Sequence, residues 1–436
     1  MSLFFIQLAC GKSTTEQLES AQTQPTEQEQ KFESTKEEQA VAPSETSAPE
    51  LIEDLKIIDF GFGQEGISLG YGFIIENPNS SYLLEDSSFQ VAAYDANGTV
   101  VSTDFGYINV IFPGQTTAKS GSMFLDDGIF VDKIEVQINT GDAKKSEITT
   151  DFSVTKEEYI PSDYFSYAVC ELLNPFDKTI TELNVSAILF DENSKIIGGG
   201  YTYINFIPAK GTTGVKFSVT GNGIVSSVKI YAGLSSLSDT DTNQNNLNKI
   251  SILKSGFGQY GSSVGFGFVI NNPNSTYAIE NSKFRVTFFD SEDKVLGAEE
   301  GYIEELLPNE TIGIGGDGYL VSEQVIARSE VQILEGSFVK TDILQSFTSE
   351  NIAFLDDSYF PKVTGQINNP FAKQITNLKV YALAFDVDGN IIGAGYTYLD
   401  FIPANGKTAV EVSIIKSQTP VTVELYATLS GLSELE

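Results

Sequence analysis

The sequence predicts an all-β fold: four tandem Ig-like antiparallel β-sandwich modules in the order A-B-A′-B′, behind a disordered polar tail. Three observations predict it. The chain matches itself at an offset of 195 residues, and each copy holds two halves that are weaker copies of one another. Short apolar runs of period two recur in all four copies, with turn signals between them. No long stretch has helical period. Internal repeats set the architecture within which every other motif is placed.

The outer repeat runs without a gap from Phe62/Phe257 to Ser235/Ser430. Asn77-Pro78 falls on Asn272-Pro273, Asp95 on Asp290, and Asn174-Pro175-Phe176 on Asn369-Pro370-Phe371. Gly200-Tyr201-Thr202-Tyr203 falls on Gly395-Tyr396-Thr397-Tyr398. The inner copies drift in register: Asn77 matches Asn174 at 97, Asp95 matches Asp191 at 96, and Pro113 matches Pro208 at 95. Modules of this length each suit one small domain. A loose connection tolerates changes in length, so the unchanged A-to-B distance predicts a fixed A–B interface.

Each module reads as a series of strands. Leu183, Val185, Ala187 and Leu189 alternate along one strand, as do Leu378, Val380, Ala382 and Ala384. Phe284, Val286 and Phe288 repeat the pattern, and so do Phe89, Val91 and Ala93. Alternation of this kind predicts a half-buried strand. An aromatic and an aspartate close each one: Tyr94-Asp95, Phe190-Asp191, Phe289-Asp290 and Phe385-Asp386. Hairpin turns follow, of which Asn97-Gly98 and Asp388-Gly389 are the strongest signals, since glycine accepts positive φ and Asx side chains bond the turn. An aromatic strand then runs into a proline turn, as in Phe206-Ile207-Pro208-Ala209-Lys210-Gly211. A last strand such as Ser227–Tyr231 ends the module.

This order of motifs resembles the bacterial FxLYD-type Ig-like domains: an Asn-Pro start, a strand ending aromatic-Asp, a hairpin, and a Pro-Gly-type turn. The resemblance covers all four modules, residues 53–436. The position of the family's namesake phenylalanine holds Val91, Ala187, Val286 and Ala382. Its leucine position holds Ala93, Leu189, Phe288 and Ala384. The resemblance implies a small extracytoplasmic sandwich, often found in lipoproteins, with no established chemistry.

The N-terminus, with the apolar run Leu3–Ile6 and then Leu8-Ala9-Cys10-Gly11, looks like the end of a lipoprotein signal peptide, in which Cys10 takes the lipid. Residues 11–50 are polar, with Phe32 the only aromatic. Such a segment cannot bury enough apolar surface to fold. About 40 flexible residues span roughly 35 Å r.m.s.. The organisation expected is therefore a signal-peptide end (1–10), a disordered polar linker (11–52), module A (53–146), module B (147–237), a polar hinge (238–249), module A′ (250–341) and module B′ (342–436). Modules set end to end would reach about 140 Å.

The net charge is −33, and there is no histidine. So acidic a chain disfavours nucleic acid, which needs clustered Lys and Arg. Absent histidine removes the usual triads and histidine metal sites. The sequence thus argues against an enzyme and calls for no cofactor. Asp386-Val387-Asp388-Gly389 invites a calcium reading, but Thr397 stands where an EF-hand needs its bidentate glutamate, so no metal is expected. The glycine-rich stretches Phe60–Gly63, Gly70–Phe73, Gly256–Gly258 and Gly265–Phe268 lack the Gly-Lys-Ser/Thr of a phosphate loop and read as bulges or close backbone packing. Cys170 reads as a small packed side chain. Tyr201, Tyr203, Tyr396 and Tyr398 are the candidate ligand-binding residues, because rings alternating on one strand face can stack on sugars or else fill a sheet face. The expected partners are a membrane, through the lipid at Cys10, and a protein or glycan at the cell surface. The function expected is a lipid-anchored extracytoplasmic spacer or binding scaffold. The alternative is a carbohydrate-binding or adhesive protein using the tyrosines.

Overall fold

The computed structural model describes residues 51–148, 151–162, 165–239, 247–320, 323–357 and 361–435. The signal-peptide end with Cys10, the polar linker up to residue 50, and hinge residues 240–246 lie outside the described residues. The described chain is all-β, with antiparallel sheets and no helix.

Module A comprises β1 (Lys56–Glu65), β2 (Ser68–Glu76), β3 (Tyr82–Tyr94), β4 (Val100–Ile111), β5 (Thr116–Phe124), β6 (Lys133–Asn139) and β7 (Asp142–Lys145). Its front sheet has the order β1-β2-β5, and its back sheet β4-β3-β6, with β7 paired to β3 beyond β6. The chain crosses between sheets after β2, after β4 and after β5, which is the Ig-like pattern. Module B comprises β8 (Ser153–Ile160), β9 (Ser166–Leu173), β10 (Ile180–Phe190), β11 (Ile196–Ile207), β12 (Thr212–Gly221) and β13 (Ser227–Gly233). Its front strands β8-β9-β12 and back strands β13-β10-β11 join where Gly198 and Gly199 pair with Gly221 and Thr220.

Module A′ repeats A with β14 (Ser251–Tyr260), β15 (Ser263–Asn271), β16 (Tyr277–Phe289), β17 (Val295–Leu306), β18 (Thr311–Tyr319), β19 (Arg328–Leu334) and β20 (Ser337–Lys340). Module B′ has β21 (Thr348–Leu355), β22 (Lys362–Asn368), β23 (Ile375–Phe385), β24 (Ile391–Ile402), β25 (Lys407–Ser413), β26 (Ile415–Lys416), β27 (Thr422–Thr428) and β28 (Glu434–Leu435). Each module has its own core between its two sheets. In B this core contains Leu183, Val185, Ala187 and Leu189, on the face their alternation predicts.

The Asn-Pro motif is a structural clamp. Asn77 is fully buried, and its Nδ2 donates to the carbonyls of Tyr82, Ile111 and Phe112 at 2.8–3.1 Å. Its Oδ1 accepts from the Asn79 amide. One side chain thus ties the β2–β3 connection to the end of β4 and satisfies carbonyls that water does not reach. Asn174, Asn272 and Asn369 repeat the arrangement. The turn aspartates are equally uniform. Oδ1 of Asp95, Asp191, Asp290 and Asp386 accepts the amides two and four residues on. The fourth turn residue takes positive φ in each case: Gly98, Ser194, Asp293 and Gly389.

The modules stack broadside. The outer face of each front sheet packs on the outer face of the next module's back sheet. At A–B the filling is Ala118, Ile188, Phe190 and Ile196, with Ile74 and Tyr231. At A′–B′ it is Val269, Leu383, Phe385, Ile391 and Ala394, with Tyr426. At B–A′ it is Val169, Phe289 and Val295, with Ile160. The third strand of B is therefore buried on both faces and not on one, because A covers Ile188 and Phe190. Sheets about 10 Å apart give eight layers about 70 Å deep. This is half the end-to-end expectation, because the faces and not the tips meet.

Glycines permit this approach. A Cβ on Gly63 would lie 2.0 Å from the Ile197 carbonyl oxygen, and one on Gly258 2.1 Å from that of Ile392. Close backbone packing is thus the role of the glycine-rich stretches, and the surface they pack against belongs to another module.

Candidate functional site

The tyrosines named from the sequence sit at the A–B and A′–B′ junctions. Tyr201 and Tyr203 stand on the outer face of β11, each 46% exposed; Tyr396 and Tyr398 on β24 are 40% and 43% exposed. Each pair meets edge to face, with ring centroids 5.9 and 6.0 Å apart and planes near perpendicular. The structure brings each pair together, but as crossed rings and not one flat platform. Desolvation raises the Tyr203 and Tyr398 phenols above their ordinary range.

A lysine lies at each pair, and it comes from a different module each time. Beside Tyr201 and Tyr203 a crevice of about 90 Å³ is lined by Lys119 of β5, Asn184 of β10, and Tyr71. Lys119 Nζ donates to Asn184 Oδ1 at 2.8 Å, and desolvation pushes its ammonium down to about 8. In the second pair Ile314 stands at the position of Lys119, and Lys379 at that of Asn184. Lys379 Nζ lies 4.6 Å from the Tyr396 ring centroid and 5.7 Å from that of Tyr398. Burial lowers this ammonium too, while Glu304 and Asp317 oppose the shift. A buried tyrosine is exchanged in the same way. Tyr71, from A, donates its hydroxyl to Asp104 at 2.8 Å. In the second pair Phe266 replaces it, and Tyr381 of B′ supplies the buried ring. Sequence reasoning did not select Lys119, Lys379, Tyr71 or Tyr381. Their signal was the charge and hydroxyl lost at one position of the repeat and gained at another.

The B–A′ junction is polar around its small apolar centre. Lys216 pairs with Glu299 at 3.5 Å, Lys283 with Glu182 at 2.5 Å, and Lys294 with Glu158 at 2.5 Å. Thr213 Oγ1 donates to Gln332 Oε1, and Gln332 Nε2 donates to the Thr212 carbonyl. Beneath them Arg285 is buried. Its Nη1 lies 2.9 Å from Glu300 Oε1 without the alignment of a hydrogen bond, and its Nε has no acceptor. Burial lowers this guanidinium below its usual range, with Glu300 opposing the shift.

Among the described residues two outer faces are not covered by another module: the back sheet of A and the front sheet of B′. On A, strand pairing sets Tyr107, Ser88 and Asn139 in one row and Phe105, Gln90 and Gln137 in the next. Phe105 is 76% and Tyr107 61% exposed. These six side chains line a groove of about 390 Å³ whose lining carries no charged residue. Cys170 lies in the core of B, where burial pushes its thiol up. Asp386 spends its carboxylate on the turn amides and on Asn390 Nδ2. Among the described residues no group of three or more His, Cys, Asp or Glu is placed to hold a metal ion.

No family model matches the chain, and no curated protein does. Among solved structures it is similar to Salmonella alpha-2-macroglobulin at 10% identity, with a TM-score of 0.12. That match covers 87% of this chain, which spans 28% of the length of the other. A likeness of this size carries no argument about fold or function.

Proposed function

We propose that this chain is a lipid-anchored, extracytoplasmic, non-catalytic scaffold of FxLYD-type Ig-like modules, which presents a binding face at the cell surface. The observation that carries the proposal is the repeated junction: three successive front-sheet-on-back-sheet contacts build one stack from four modules. Such a stack offers reach and a fixed orientation. The buried asparagines, the turn aspartates and the glutamates of the B–A′ junction serve clamps, turns and ion pairs, which supports a scaffold over a catalyst. In this reading Cys10 carries the lipid, and residues 11–52 are the tether between bilayer and stack.

Metabolic labelling with a radioactive fatty acid tests the anchor. The full chain is expected to take label and to fractionate with membranes, while Cys10→Ala takes none and is released. An unlabelled wild-type chain in the soluble cytoplasmic fraction overturns the proposal. A carbohydrate-binding reading through Tyr201, Tyr203, Tyr396 and Tyr398 is supported by their partial exposure, although crossed rings give a sugar less flat surface than stacked ones would.

A further inference from the structure

We infer that the outer back sheet of module A is a binding site for uncharged oligosaccharides, and that module A′ has no such site. The inference names a ligand class for the binding face of the scaffold and does not depend on the lipid anchor. The two copies of the repeat differ on this face. In A′, the positions of Ser88, Gln90 and Phe105 hold Lys283, Arg285 and Glu300. B packs against that face: Lys283 pairs with Glu182, Glu300 Oε1 accepts from the Asn205 amide, and Tyr302 donates to Asn205 Oδ1. In A the same sheet positions carry amides, a hydroxyl and two exposed aromatics, and no described module covers them.

Amide groups and hydroxyls both donate and accept, which matches the mixed donor-acceptor character of sugar hydroxyls. Aromatic rings cover the C–H face of a pyranose. Gln90, Gln137, Asn139 and Ser88 supply the first, and Phe105 and Tyr107 the second, within a groove of about 390 Å³. Small-ligand sites range from about 300 to 1,000 Å³. An uncharged lining within a chain of net charge −33 selects against acidic glycans, which the surrounding field repels. The platform also continues. Phe105, Gly106 and Tyr107 line both this groove and the crevice that holds Tyr201, Tyr203 and Lys119. A chain of several sugar units laid across the β4 edge would meet both.

A second copy of the chain is a poor occupant. Among the described residues its one uncovered front sheet is that of B′. Transposing the B–A′ junction onto B′ and A turns Lys216–Glu299 into Glu411 against Asp104, and leaves Ser88 facing Asn377 and Thr99 facing Ala353. Each ion pair is lost, and one becomes a repulsion, which works against end-to-end assembly.

Saturation-transfer NMR and calorimetric titration of the full chain carrying Cys10→Ala test the site, with neutral tetramers of β-linked glucose, mannose and N-acetylglucosamine as probes. Binding of at least one is expected. Phe105→Ala or Gln90→Ala with Gln137→Ala should weaken it about tenfold or more, and Tyr302→Ala, on the face of A′ that packs against B, should leave it unchanged. Melting temperatures of the Phe105 variant should match wild type, since that ring is exposed. The inference is overturned if no neutral probe binds, if binding survives Phe105→Ala, or if the chain dimerises through this face and Phe105→Ala abolishes the dimer. Loss of the anchor with glycan binding intact would sink only the scaffold's localisation.

Discussion

Replacing Gly63 by alanine sets a new Cβ 2.0 Å from the Ile197 carbonyl oxygen, 2.4 Å from the Asn222 nitrogen and 2.8 Å from the Gly221 carbonyl carbon. All three neighbours are backbone, so no side-chain rotation relieves the clash. Ordinary contact begins near about 3.4 Å, so the A and B sheets must part locally by about 1.4 Å. A gap of that size forfeits a large share of the dispersion contact between them. Overpacking of this kind costs about 1–3 kcal/mol when the structure adjusts. Exposing Ile188, Phe190 and Ile196 by full separation of A from B would cost about 5–9 kcal/mol, at about 1.5–3 kcal/mol per side chain, so the sheets should adjust and stay together. At about 2–4 °C per kcal/mol for a unit of this size, melting should fall by about 2–12 °C. Gly66→Ala is the control. Gly66 has φ +58° and nothing within 4 Å, so its cost is local backbone strain of about 1–2 kcal/mol. Calorimetry of the full chain with hydrogen exchange separates the two: β11 amides should lose protection in Gly63→Ala and keep it in Gly66→Ala. Equal protection of β11 in both variants would refute the tight junction.

Asn77→Ala should cost about 1–3 kcal/mol for each carbonyl left dry, whereas Asn97→Ala at the exposed turn should cost under about 0.5 kcal/mol; chemical denaturation compares them. Glu300→Ala should destabilise the chain by about 3 kcal/mol, because it strands the buried Arg285 charge, and Arg285→Met combined with Glu300→Met should recover most of the loss; both are read by melting temperature. Burial raises the carboxyls of Asp151, Glu157, Glu299 and Glu305 above their usual range, so their contribution is full at low pH and fades as pH rises through the folded values. Turn hydrogen bonds lower Asp95 and Asp386, whose contribution is lost as pH falls through theirs, so these groups together put the melting maximum in the ordinary carboxyl range, near about pH 4, and a steady rise from about pH 5 to 8 would contradict this. Lys119→Ile or Asn184→Lys alone should destabilise the A–B junction, and the two together should restore it as a coupled pair in a double-mutant cycle.

What the sequence made legible was local. Period-two runs such as Leu183–Leu189, the Asn-Gly and Asp-Gly turns, and the 195-residue offset depend on neighbours in the chain, and they placed the strands. What stayed hidden depended on other modules. The inner-face alternation of β10 was readable. Its outer face, Asn184, Ser186, Ile188 and Phe190, is buried only because A lies over it. Gly63 and Gly258 could be read as points of close approach, but their partners Ile197 and Ile392 lie more than a hundred residues away. Phe105 and Tyr107 escaped selection for the same reason. The repeat set them beside Glu300 and Tyr302 as equivalents, while their exposure depends on which module stands in front.

Exact repetition would make the two pairs equivalent, and the stacking rule prevents that. Each back sheet is covered by the module before it, so A, which has no described module before it, keeps an open face. The differences between the copies follow this geometry. At A–B and A′–B′ the lysine and the buried tyrosine change module while staying at the junction, as compensation across a contact requires: Lys119 with Asn184 becomes Ile314 with Lys379, and Tyr71 with Ser186 becomes Phe266 with Tyr381. On the back sheets nothing of that kind is seen. Arg285, Glu300 and Lys283 give way to Gln90, Phe105 and Ser88 with no matching change on a partner module, because A has none there. Compensated positions are held by a partner within the chain. The uncompensated ones mark the face that is free to meet something outside it.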